Sequence, residues 1–125
     1  MIGAVVKDDV AKEIIIEWAR YAGMITLDGR RYHEYELGSK NDNMRTAENV
    51  ERINLALKDT TQIRLNPAMH DGNQYNGLSN RIYIATPIDD EDPKNWPEDT
   101  KKIFEARIKP WLVAHNLASD NLTLR

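Results

Sequence analysis

The chain contains no cysteine. Disulfides, thiolate metal sites and thiol catalysis are therefore excluded. Such a composition suits a reducing cytosol, although a cysteine-free chain is compatible with any compartment. Long apolar runs are missing too, and the longest are a few residues where a membrane-spanning helix needs about 20. The opening Met1-Ile2-Gly3-Ala4-Val5-Val6 has no charged lead and is too short for a signal peptide core. The expectation from these features is a cytoplasmic protein that does not enter a membrane. A basic excess is also lacking: the formal net charge is −3 and the pI about 5.6. That argues against broad, charge-driven coating of DNA while leaving room for a local basic patch, and a DNA mimic would be far more acidic.

Several sequence signatures of chemistry are absent. Gly38-Ser39-Lys40 lacks the two-glycine spacing of a phosphate loop, and there is no Gly-x-Ser-x-Gly elbow. The histidines His33, His70 and His115 form no zinc-binding spacing. Asp89-Asp90-Glu91-Asp92 lacks the alternating oxygens and glycine of a calcium loop and reads as a solvated turn. No metal and no cofactor are expected. Asn121-Leu122-Thr123 is a glycosylation sequon by pattern, read as chance in a chain with no export signal.

What is present is enough for one domain with one core. Asp8 or Asp9 caps an expected first helix running to about Ala22, with Val10, Ile14, Trp18 and Tyr21 at helical spacing and Gly23 as its stop. Met24–Leu27 then meets Arg31–Leu37 across Asp28-Gly29, a strong hairpin signal because both turn residues tolerate positive φ. Period two puts Tyr32, Glu34 and Glu36 on one face and His33, Tyr35 and Leu37 on the other, the expected core face. After the polar loop 38–43 a helix is expected over Met44–Lys58, with Val50, Ile53 and Leu57 as its stripe. Two alternating strands follow, Thr61–Leu65 and Asn80–Ile84, the second ending near Thr86 because Pro87 has no ladder donor. Pro97 suits a first helical position and Pro110 should kink or break the final helix. The tail after Ala118 is expected to fray. The order α-β-β-α-β-β-α favours an α+β fold, an antiparallel four-stranded sheet with helices packed on one face. Ile63, Leu65, Ile82, Ile84, Trp18, Phe104 and Trp111 form the expected core.

The long polar connection between the last two strands carries His70, Asp71, Asn73 and Tyr75, and loops on rigid sheets are where binding groups collect. His70-Asp71 offers an acid–base pair, yet Asp71-Gly72 is equally a turn signal. Arg30, Arg31, Arg64 and Arg81 are the electrostatic candidates. Arg64 and Arg81 each neighbour apolar, inward positions, so both should point to the outer sheet face. Shared with Tyr32 or Tyr83, that face would clamp phosphates and stack bases; the alternative is the ordinary polar side of a half-buried sheet. The expected ligand surface is Arg31, Arg64 and Arg81, bordered by His70, Asn73 and Tyr75, and internal ion pairs would withdraw the arginines from it.

Arg81-Ile82 on a final strand, Asp89 with Asp92, and Trp96 opening a terminal amphipathic helix resemble an uncharacterised bacterial domain family of unknown function. That family is often found behind restriction-endonuclease-like nuclease modules. The similarity runs over about residues 80–115. It implies a prokaryotic or phage nucleic-acid-defence setting and the accessory part of such a protein. The nuclease constellation itself is not formed: Glu36 is followed by Leu37 and Gly38, with Lys40 out of register. Three functions remain open on sequence. One is a non-catalytic module that contacts nucleic acid or a partner protein. Another is a small-molecule or nucleotide binder with a pocket at a dimer seam, and the third is a small hydrolase or lyase using His70 and Asp71. Homo-oligomerisation is left open by the sequence.

Overall fold

A computed structural model describes residues 14–39, 46–66, 81–88, 94 and 96–125. Four antiparallel strands form one sheet in the order β1-β2-β4-β3: β1 (Trp18–Leu27), β2 (Arg30–Gly38), β3 (Arg64–Leu65) and β4 (Arg81–Pro87). The helices are α1 (Ala47–Lys58), α2 (Trp96–Ile103) and α3 (Lys109–Ala114), with a π-helical segment, Phe104–Ile108, joining the last two. The fold is α+β in a single small domain.

The β1–β2 hairpin turns on Asp28 (φ 53°) and Gly29 (φ 79°), between the paired Leu27 and Arg30. Two successive positive φ values define the type I′ turn that the Asp-Gly dipeptide favours. β1 is longer than expected and overturns part of the first helix. Residues 14–17 are irregular and Trp18–Ala22 are strand; the part of that helix before Ile14 lies outside the described residues. Helical spacing misled here because Ala19 and Tyr21 also alternate inward, against Leu37 and Tyr35, while a bulge between Tyr21 and Gly23 then breaks the period-two pattern.

The core lies between the inner sheet face and the helices. Tyr35, Leu37, Leu65, Ile82 and Ile84 meet Ile53 and Ala56 of α1, Phe104 and Ile108 of the π segment, and Leu112 of α3. Tyr35 closes the layer by donating its hydroxyl to the Thr100 carbonyl at 2.7 Å. α1 begins later than expected because Thr46 caps it, its side chain accepting the Asn49 N–H. Pro110 neither ends nor breaks the last helix. The helix widens before it, so that the Lys109 N–H reaches back five residues to the Phe104 carbonyl. The wider turn relieves the clash between a proline ring and the carbonyl four residues earlier.

The expected frayed tail is docked instead. Asn116 takes a positive φ of 58°, and the Leu117 N–H bonds the Leu112 carbonyl at 2.8 Å, which ends the helix in a Schellman turn. The reversal lets the Leu117 carbonyl accept the N–H groups of Ile15 and Ile16. Leu124 then bridges Ala19 in parallel, and the Arg125 N–H bonds the Ala19 carbonyl at 2.9 Å. Leu117, Ala118 and Leu122 are buried. Trp18 is a further correction: it is only half-buried and sits on the outer sheet face, opposite the core.

Candidate functional site

Directly opposed residues in an antiparallel ladder share a face. Four rows therefore cross the outer face: Trp18–Gly38–Arg81, Arg20–Glu36–Tyr83, Gly23–Glu34–Ala85–Arg64, and Ile25–Tyr32–Pro87. Arg64 and Arg81 are thus co-facial, as strand alternation predicts. Arg31 is not: it pairs with Thr26 and shares the side of His33, while Arg30 shares the side of Tyr32. His70, Asn73 and Tyr75, with Asp71 and the acidic turn 89–92, lie outside the described residues. Arg20 and Trp18 were hidden by the helical reading of β1.

Glu36 is the centre of this face. Its side chain is fully buried, while those of Arg20 and Arg81 are 57 % and 47 % exposed. One carboxylate oxygen accepts from Arg20 Nε; the other accepts from Arg81 Nη1 at 2.7 Å and from the Tyr83 hydroxyl at 2.8 Å. Burial pushes the Glu36 carboxyl up, but the hydrogen bonds from Arg81, Tyr83 and Arg20 outweigh it and hold the group below the usual carboxylate range. One carboxylate set between two guanidiniums neutralises only one of their charges. Its three bonds fix both heads at the surface, and each guanidinium has five N–H donors in a rigid fork.

Tyr32 is buried between two more arginines, with Arg30 and Arg64 lying 5.9 and 5.8 Å from its ring centroid. Arg64 also bonds Asp28 Oδ2 at 3.1 Å, an exposed pair of small energetic worth. Glu34 accepts from the Asn66 side-chain amide, the first residue of the long connection. Two of the three arginines expected to bind a ligand are therefore in internal ion pairs, Arg81 with a buried carboxylate and Arg64 with an exposed one, the condition expected to withdraw them from the ligand surface, and the third, Arg31, lies on the other face. At the other end of the face, the Trp18 indole packs closely against Gly38. A Cβ added there would stand 2.1 Å from two indole carbons, so only glycine admits the ring. The Arg125 guanidinium covers the indole at 5.1 Å.

The inner face carries a smaller, buried polar group around His33. His33 is 1 % exposed; its Nδ1 meets the Tyr21 hydroxyl at 2.8 Å and its ring meets Trp96 edge-on. Arg107, from the π segment, bonds the Thr86 hydroxyl and the Pro87 carbonyl. Burial, and then the positive charge of Arg107, lower the His33 pKa. The sign of the pH effect follows. The unfolded chain takes a proton on this histidine below about pH 6.5, and the folded chain resists until lower pH, so stability is lost as pH falls through that window. Replacing His33→Phe, which keeps the ring contacts, is expected to flatten this part of the stability profile in urea melts. A profile as steep as the parent's would refute the assignment.

Among the described residues no three histidine or carboxylate side chains come together as a metal site, and no helix is long and apolar enough to cross a membrane. No protein-family model matches the chain, and no curated protein or solved structure matches it significantly.

Proposed function

We propose that the chain is a non-catalytic binding module that contacts nucleic acid through the outer face of its sheet. The observation that carries this reading is the charge of that face. Among the described residues Arg20, Arg30, Arg64, Arg81 and Arg125 gather there against Glu34, Glu36 and Asp28, in a chain whose net charge is −3. An acidic protein that concentrates guanidinium groups on one surface presents an anion-binding face while the rest of it repels the same partner. The ion pairs count against Arg64 and Arg81 as ligand groups, so the reading rests on the excess charge of the face: one carboxylate neutralises only one of the two guanidiniums it bonds, and the Arg20 and Arg81 side chains remain 57 % and 47 % exposed. The defence setting, prokaryotic or phage, rests on the resemblance of the closing third alone.

The test is fluorescence anisotropy with labelled oligonucleotides, single-stranded and duplex, across a salt series. Binding at low salt is expected to weaken linearly in log–log form, with each phosphate contact adding about 0.7 to 0.9 to the slope. Arg30→Gln with Arg64→Gln, which leaves Glu36 and its partners intact, should lower affinity for the oligonucleotide and shallow the slope while changing the melt little. No binding of either form at low salt would reject the reading.

A further inference from the structure

Taking the outer face as the ligand surface, we propose that its ligand is specifically single-stranded nucleic acid, a base stacking on Trp18 while Arg20 and Arg81 hold the flanking phosphates. The inference rests on the reading above and on a separate observation, the mounting of the indole. Gly38 lacks a Cβ where the Cε2, Cζ2 and Nε1 atoms of Trp18 sit, so the indole seats against the strand backbone itself. The Arg125 guanidinium lies over the same indole, 5.1 Å from the ring centroid.

That guanidinium occupies the place of a base. A cation over an aromatic ring is held more weakly than a stacked base. A base therefore displaces Arg125, whose charge then moves toward the phosphate chain rather than being lost from the site. Gly38 separates Trp18 from Arg81 by one strand on each side, and Arg20 lies two residues along β1 from the ring. Along the backbone the anion donors thus lie about 7 Å from the stacking residue on β1, for Arg20, and two strand spacings, about 10 Å, across the sheet, for Arg81, distances that an unstacked, flexible strand can span. A duplex hides its base faces and offers phosphates alone.

The experiment compares a labelled 15-nucleotide oligo(dT) with a duplex of equal length at low salt, using anisotropy together with tryptophan fluorescence. The single strand is expected to bind about tenfold or more tightly and to quench tryptophan emission. Trp18→Leu should weaken single-strand binding about 5- to 100-fold, the loss of one stacked base, and Trp18→Phe should recover most of it. A duplex bound as tightly as the single strand, or a Trp18→Leu protein of parental melting temperature and parental single-strand affinity, overturns this inference and leaves the nucleic-acid reading standing. Failure of both forms to bind overturns both.

Discussion

Trp111→Ala is expected to cost about 3–5 kcal/mol of stability, the range for emptying a large aromatic site in a core. Trp111, on α3, is 8 % exposed, and its indole N–H donates to the Ala56 carbonyl of α1 at 2.6 Å. Truncation therefore removes the packing that joins α3 to α1. It also takes the partner from a carbonyl near the end of α1, where the Asp59 N–H is its remaining donor. Trp111→Phe separates the two contributions. It keeps most of the apolar volume and loses the hydrogen bond, so its cost should be about 1–2 kcal/mol. Urea unfolding of both variants measures the difference; a Trp111→Ala loss within scatter would show that the helices are held by other contacts.

Glu36→Ala is the second large expected loss, about 2–4 kcal/mol. Breaking a fully buried ion pair typically costs about 3–5 kcal/mol because a charge is left without its partner. Here the arginines are about half exposed and regain water, which trims the penalty. The pH dependence is the sharper readout. The Glu36 carboxyl titrates below its unfolded value, so its contribution is present above the unfolded pKa and is lost as pH falls through the folded one. The parent should lose stability on the acid side of about pH 4.5 more steeply than Glu36→Gln does. Equal acid limbs would mean that the three hydrogen bonds contribute nothing net.

Alternation and turn chemistry made the β1–β2 turn, the inward set Ile63, Leu65, Ile82 and Ile84, and the shared side of Arg64 and Arg81 legible in the sequence. Each depends on neighbours a few positions away. The misreadings have a different origin. Trp18 through Tyr21 fits both a helix stripe and a strand, and only pairing with residues 35–38, through a bulge, decides between them. Arg31 was separable from the outer face by parity with His33, a signal present in the sequence but outweighed by its charge. The burial of Glu36 was not legible. A glutamate between apolar neighbours looks like the wet side of a strand, and its partners come from β1, itself misread, and from a strand about 45 positions later. The docking of the tail likewise depends on a left-handed Asn116, which sequence shows only as one more polar residue in a turn.

The strand order has a consequence for how the molecule assembles. β1 and β2 are neighbours in the chain, but the central pairing of β2 with β4 joins Tyr35 to Ile84, and Ile16 is fastened to Leu117 about a hundred positions on. The entropy of closing such loops grows only slowly with length, yet it must be met before the contacts reward it. Helices and the tight β1–β2 hairpin form from local contacts; the β2–β4 pairing and the seam of residues 15–19 with the tail wait for distant ones. Folding should therefore be slow for a chain of this size, with the turn at Asp28-Gly29 as an early anchor and the seam between β1 and residues 117–125 closing late. That seam would also be the first to open under mild denaturant, before the rest of the sheet, and hydrogen exchange at Ala19 and Arg125 is where such opening would be seen.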